Sequence, residues 1–317
     1  MPAAQMGSAT AEIVLPARGR FDLRATVLSH GPMPHAPWQW HDGVRPLLRR
    51  AERLADGSVY LLAIRPAPAG VVLRATGPDA NEIERLAPLA ARIRRALRLD
   101  EDLTSFHRLC RTHPGLRPIA RAGLGRLLRG TTLFEDLVKA IVWRGRTGAG
   151  AATIGHLGTL GSRCAARPGL RAFPTPDQIA QAGAAPPRAQ ARLGSRAVSI
   201  KRIARGVADG TWDLAELDAA ADRLPSATLV RRLRALPGIG PAAAAWMLLV
   251  LGHYDRPAID AATLRWVRGS EPPVLTAAAW GAWRGLALWW AQCLGLDART
   301  LSAVRRPAGP DRRARRR

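Results

Sequence analysis

The sequence has only three cysteines, Cys110, Cys164 and Cys293, far from one another. No pair has metal-ligand spacing and none suggests a disulfide framework, which points to a reducing compartment, a cytoplasmic one. Lysine is almost missing: Lys139 and Lys201 are the only two, so any chemistry that needs a lysine amine has two candidates. The seven histidines show no ligand pairing, so no catalytic metal is expected. Long apolar runs are lacking as well. The most apolar late segment is interrupted by Arg284, and Met1 to Ala11 carries no basic-then-apolar signal pattern, so no membrane partner is expected.

Acid is the other shortage. Asp and Glu number 24 against 48 Lys and Arg, a formal charge of +24 that calls for a polyanionic partner. The stretch Arg305 to Arg317, with seven Arg and one Asp, contributes +6, so the remaining +18 is spread over the body. The length of 317 residues suits two domains or one large one, and an apolar content of 47% is ordinary for a globular chain.

Residues 1–12 read as a disordered leader and 304–317 as a disordered Arg-rich tail that binds phosphate non-specifically. From Ile13 to about Thr76 the pattern is that of strands. Phe21, Leu23, Ala25 and Val27 alternate with polar residues, and short apolar runs follow at Val59 to Ile64 and Val71 to Leu73, with a Pro/Gly-rich connection between them. At Asp79 and Glu82 a helix-start pattern appears, and Leu86, Leu89, Ile93 and Leu97 recur at helical spacing. Thr132 and Glu135 make a capping box ahead of Phe134, Leu137, Val138 and Ile141; Ser226 opens another helix; Ala278 to Leu294 reads as one Trp-rich helix. The expected fold class is α+β, mostly α: a small N-terminal antiparallel β domain with a helix over 13–105, then a two-lobed all-helical domain over 106–303.

The sharpest feature is Leu236-Pro237-Gly238-Ile239-Gly240-Pro241, between two helical patterns. Gly238 and Gly240 permit a tight turn, Ile239 can plug back into the helix pair, and Pro241 suits the first position of the next helix. Such a hairpin offers bare N–H groups at a helix N-terminus to a phosphate oxygen. It would read no base sequence, because phosphates carry none directly. The alternative is a plain Gly-containing turn between packed helices. The register of Leu233, Leu236, Ala244 and Leu248 with the glycines favours phosphate binding.

This pattern resembles the helix-hairpin-helix superfamily of DNA glycosylases, which carries a Gly/Pro-rich hairpin and an aspartate about twenty residues later. Asp260 stands twenty residues after Gly240, within Pro257-Ala258-Ile259-Asp260. Leu133 to Lys139 is similar to the family's first core helix, Phe173 to Pro176 with Arg196, Ala197 and Ile200 to its middle helices, and Trp283 to Ala287 to its last. The β region is similar to the extra N-terminal domain of the alkyl-purine and 8-oxoguanine branches. The four close cysteines of the iron–sulfur branch are missing.

The resemblance implies an enzyme that flips a damaged purine, alkylated or oxidised, out of double-stranded DNA and hydrolyses its bond to the sugar. Asp260 would stabilise the positive charge on the sugar and orient the attacking water; from local sequence alone, an N-cap for the helix beginning Ala261 is the competing reading. Where some members carry a nucleophilic lysine this chain has Ala242, which implies base removal without strand cleavage. By register, Ala242, Trp246 and Gln292 would line the base pocket, although core packing is an equal reading for Trp246. Trp280, Trp283 and Trp289 are assigned to packing. The loop Trp143-Arg144-Gly145-Arg146-Thr147 would supply the gap-filling wedge, yet Gly145 falls at the filling position, leaving Arg144 or Arg146. No cofactor is implied beyond a monovalent cation at the hairpin carbonyls. The partner is damaged duplex DNA, met by a nucleoid-associated monomer. The alternative is a non-catalytic relative that binds distorted DNA.

Overall fold

The computed structural model describes residues 9–30, 36–78, 83–142, 149–183, 193–259, 261–267 and 278–296. The chain begins with β1 (Ala9–Pro16), a short helix α1 (Leu23–Val27), and strands β2 (Gln39–His41), β3 (Leu47–Arg53), β4 (Val59–Ala67) and β5 (Gly70–Gly77). They form one antiparallel sheet in the order β1-β5-β4-β3-β2. The β4–β5 hairpin falls where the two apolar runs and the Pro/Gly connection put it, with Ala67 paired to Gly70. Helix α2 (Ile83–Leu97) lies on one face of the sheet: Leu89, Ile93 and Leu97 share a core with Leu62, Ile64 and Leu73. Alternation along the strands sends these residues to one side.

Two readings of this region change. Phe21 to Val27 is not a strand. Asp22 caps α1 by accepting from the Ala25 N–H at 2.8 Å, and Leu23 and Val27, four residues apart, are buried on one helical face. An alternating run of five to seven residues also contains an i, i+4 pair, and the cap decides between them. The first strand reaches back to Ala9, ahead of the Ile13 start read from sequence, because Ala9 to Glu12 pair with Arg74 to Gly77.

The helical part follows as α3 (Thr104–Thr112), α4 (Arg117–Arg121), α5 (Leu133–Val142), α6 (Ala149–Gly158), α7 (Pro176–Gln181), α8 (Ser195–Ala208), α9 (Leu214–Ala221), α10 (Ser226–Arg234), α11 (Pro241–Leu251), α12 (Ala261–Val267) and α13 (Arg284–Cys293). Half of the expected capping box forms: Thr132 Oγ1 accepts from the Glu135 N–H at 3.2 Å, while the Glu135 carboxylate accepts from the Thr131 N–H at 3.1 Å rather than from that of Thr132. The single Trp-rich helix is replaced by a 3-10 segment, Ala278–Trp283, and α13, because Gly281 sits at φ 46°, outside helical space.

Two helical cores form the two lobes. One gathers Leu137 and Ile141 of α5, Ile200 and Ile203 of α8, and Leu229 and Leu233 of α10. The other gathers Phe106, Cys110, Trp280 and Trp290 around α3 and α13. Helix α11 runs between them. Met247, Leu248 and Leu251 enter the first core and Leu249 the second. A helix apolar all round is a buried one, and each such Leu contributes about 1.5–3 kcal/mol.

Buried ion pairs join the sheet to the helices. Arg50 of β3 meets Glu52 at 2.7 Å and Glu135 of α5 at 3.1 Å, over the ring of Trp38 at 4.4 Å. Arg95 of α2 reaches Asp136 of α5 at 2.9 Å and Asp218 of α9 at 2.6 Å. The N-terminal domain thereby has a fixed bearing on the first core helix.

Candidate active site

The hairpin between α10 and α11 gives its two glycines different tasks. Gly238 has φ 79°, and a Cβ placed there would lie 2.5 Å from the Ser199 Cβ of α8. Gly240 has φ −77° and nothing within 4 Å of its would-be Cβ. The first glycine is needed by the turn and its packing; the second keeps the outside clear. Leu236 and Ile239 are buried, Pro237 is half-buried, and Gly240, Pro241 and Ala242 are exposed. The first intrahelical bond runs from the Ala244 N–H to the Gly240 carbonyl at 2.9 Å. The N–H groups of Ala242 and Ala243 come before it and have no carbonyl of their own helix to bond. The result is an exposed helix N-terminus with positive dipole and, among the described residues, no side chain over Gly240.

This separates two substitutions. Gly240→Val is expected to cost no more than about 1 kcal/mol of stability while weakening duplex DNA binding about tenfold, since it covers the amides. Gly238→Ala is expected to cost about 1–3 kcal/mol, from the left-handed backbone and the Ser199 contact. Thermal melting beside fluorescence-anisotropy titration with a DNA duplex distinguishes the two; equal effects on both quantities would contradict the division of roles.

Ala242 is exposed in the first turn of α11, and Trp246, one turn on, is buried at 7% exposure. The Trp246 ring is 5.7 Å from the ring of His30, and His30 lies 5.6 Å from Trp289 of α13. Trp289 donates its Nε1–H to the Ser29 carbonyl at 3.0 Å. Gln292 is half-buried, one turn beyond Trp289 on α13. Helices α11 and α13 thus bring Trp246 and Trp289 to a common neighbour from the N-terminal domain. Trp289 is packed against both helical cores, the place assigned to it from sequence. Trp280 is fully buried in the second lobe, and Trp283 stacks on Tyr254 at 5.5 Å.

Sequence reasoning missed His30. It faces residues more than two hundred positions away, and its neighbours Ser29 and Gly31 carry no local pattern. Its Nε2 lies 2.8 Å from the Leu128 carbonyl, an acceptor only, so Nε2 carries the proton. Burial pushes its pKa down to about 4; the Leu128 bond opposes this and the charge of Lys139 adds to it. Because the folded pKa lies below the ordinary 6.5, the stability tied to neutral His30 is fully present above about pH 6.5 and lost as pH falls towards 4. The loss amounts to about 3 kcal/mol. Melting curves from pH 7 to 4 should show it, and His30→Phe should flatten the slope over that window. An unchanged slope would rule His30 out as its source.

Asp260 lies outside the described residues, as do Arg144, Gly145 and Arg146. The stretch that leads to Asp260 is described and is held at many points. Gly252 ends α11 in the left-handed conformation, with the His253 N–H on the Leu248 carbonyl at 2.9 Å. Ser226 Oγ donates to Asp255 Oδ1 at 2.5 Å and lies 2.9 Å from His253 Nδ1, while His253 Nε2 lies 2.9 Å from the Ala221 carbonyl. A Ser, His and Asp together suggest a nucleophilic triad, but the order is wrong: the acid holds the serine and the imidazole is tied to a backbone carbonyl. These residues clamp the start of α10 to the end of α11. Arg284 holds the Asp255 carbonyl at 2.9 Å, and Tyr254 accepts the Gly285 N–H at 2.6 Å through its own carbonyl. Beyond the clamp, Ile259 is 39% exposed, and in α12 Thr263 is buried and Leu264 48% exposed.

Both lysine amines are engaged. Lys139 Nζ donates to Glu135 Oε1 at 2.6 Å, buried beside Arg50, and Lys201 Nζ donates to the Ala182 carbonyl at 2.7 Å. Among the described residues, no three His, Cys, Asp or Glu side chains could hold a metal, and no helix is long and apolar enough to cross a membrane.

No family model and no curated protein matches the sequence. Solved structures do match. One is MBOgg1 in complex with a low-affinity DNA ligand, at 18% identity and TM-score 0.55, covering 81% of this chain and 99% of that one. The fold is that of the 8-oxoguanine glycosylases. A Clostridium acetobutylicum 8-oxoguanine glycosylase/lyase without ligand matches at 15% identity and TM-score 0.54, covering 81% of this chain and 98% of that one. The same enzyme with double-stranded DNA containing cytosine opposite 8-oxoG matches at 15% identity and TM-score 0.55, covering 83% and 100%.

Proposed function

We propose that the protein is a monofunctional DNA glycosylase that removes an alkylated or oxidised purine from double-stranded DNA. The observation that carries this reading is the exposed N-terminus of α11: Gly240 leaves it open, and the chain leaving the helix's other end is clamped on its way to Asp260. An open helix N-terminus suits a backbone phosphate beside a nucleotide that has been turned out of the stack. The hairpin amides would seat the DNA strand without reading its sequence. Asp260 would stabilise the cationic sugar as the base departs and orient the water that replaces it.

Water is the expected nucleophile. Ala242 has no amine, and the two lysines are held by Glu135 and by the Ala182 carbonyl. The solved relatives include a glycosylase/lyase, so the point needs its own test. Duplexes carrying a methylated purine, 8-oxoguanine, hypoxanthine or uracil are incubated with the protein and divided, one half treated with alkali and the other with borohydride. Strand breaks only after alkali, with no protein–DNA adduct, are expected on an alkylated or oxidised purine. A borohydride-trapped adduct would contradict the monofunctional mechanism, and no alkali-labile site on any duplex would contradict the activity itself.

A further inference from the structure

Resting on that reading, we propose that Arg98, Glu101 and Tyr254 act as positioning residues that set the stretch leading to the candidate acid against the phosphate-binding helix. Arg98, in the turn after α2, is the one non-glycine residue with positive φ among the described residues, at 53°. It is the left-handed residue that ends α2, with its own N–H and that of Leu99 returning to the Arg95 and Arg94 carbonyls at 3.2 and 3.0 Å, a position that glycine usually fills. Its guanidinium makes three bonds. Nε and Nη2 grip the two oxygens of Glu101 at 2.8 and 2.9 Å, and Nη1 donates to the Val250 carbonyl, in the last turn of α11, at 2.6 Å. Glu101 Oε1 also accepts the Tyr254 hydroxyl at 2.6 Å. Arg98 and Glu101 are almost wholly buried.

Capping alone does not call for this arrangement. Gly252 already ends α11, with its own N–H and that of His253 returning to Leu249 and Leu248. Arg98 adds a bond from a different domain, and a Cβ at Gly252 would collide with its guanidinium. The helix spans eleven residues, about 16 Å of rigid rod. Its first turn faces the proposed phosphate and its last turn is bolted to Arg98. Tyr254, two residues past the cap, is held through Glu101 to the same bolt, with its ring stacked on Trp283. From there the chain runs to Asp260. A displacement of about 1 Å in a reacting group can cost 10²-fold in rate. The trio would hold the acid in register with a DNA strand seated at the hairpin.

The test compares Tyr254→Phe, which loses one hydroxyl and keeps the stacked ring, with Arg98→Gly, which relieves the backbone while deleting the guanidinium. Single-turnover base release and duplex affinity are measured on the substrate that the wild-type protein cleaves. Base release is expected to fall about tenfold in Tyr254→Phe and further in Arg98→Gly, with affinity within about twofold of wild type. Arg98→Lys, which keeps a cation for Glu101, is expected to recover part of the rate. Wild-type rates in Tyr254→Phe would overturn the proposal even if Arg98→Gly fails to fold, and so would losses of rate that merely follow losses of affinity. A wild-type protein that cleaves none of the lesions would instead sink the glycosylase reading on which the proposal rests.

Discussion

Replacing Asp260 by Asn is expected to leave duplex binding within about twofold of wild type and to lower single-turnover base release by at least about 10²-fold. The two side chains have nearly the same shape, so the hairpin and its phosphate contact should be untouched. The charge is what changes. As the base leaves, the sugar becomes cationic, and an amide neither stabilises that charge nor accepts a proton from the incoming water. Gel-based cleavage after alkali, beside anisotropy titration, separates the two quantities. A variant that excises normally would remove Asp260 from the chemistry and leave it as the cap of α12.

Replacing Arg50 by Ala is expected to have the largest effect on folding, a loss of about 3–5 kcal/mol. Arg50 is 1% exposed and lies between two carboxylates, Glu52 at 2.7 Å and Glu135 at 3.1 Å, with Thr131 Oγ1 at 2.9 Å. Burial by itself would raise the pKa of Glu135, but Arg50 and Lys139 hold it down to about 2. Without Arg50, two buried acids keep Lys139, Arg92 and Thr131 as their partners among the described residues. The cost is that of charge left uncompensated away from water, which is why it exceeds what the ion pair contributes in net terms. Urea unfolding at pH 7 measures the loss, and a midpoint equal to wild type would show that the remaining groups suffice. The same network predicts acid sensitivity. Because the folded pKa of Glu135 lies below its ordinary 4.5, its contribution is present above about pH 4.5 and lost as pH falls towards 2. That window starts below the one assigned to His30 and overlaps only its lower edge.

The sequence was most legible where the physics is local. Thr132 as a cap, the hairpin glycines and Pro241 at the first helical position each depend on the dihedral angles or hydrogen bonds of a few neighbours. Even there, sequence did not separate Gly238 from Gly240. Their difference comes from Ser199, which reaches one of them from another helix. The spacing of Phe21 to Val27 fits two periods, and only the Asp22 cap chooses the helix. The pattern from Ala278 to Leu294 was read as continuous, although Gly281 is free to leave helical space and does.

What was not legible is long-range and polar. His30 meets Trp246 and Trp289 only because the N-terminal domain folds back over the helices. Arg50 and Arg98 belong to a chain so rich in arginine that composition gave no reason to single them out. Their importance appears with their burial and with the acids they face. The candidate acid and the wedge loop were named by register with a family, and the described residues fix only the chain on either side of them.

The most direct measurement is chromatography of the small molecules freed when the protein is mixed in excess with damaged duplexes. One intact modified purine should appear, matched mole for mole by new abasic sites in a strand that stays whole. Duplexes that are bound tightly yet release no base would contradict this, and would make the protein a reader of distorted DNA rather than an enzyme that acts on it.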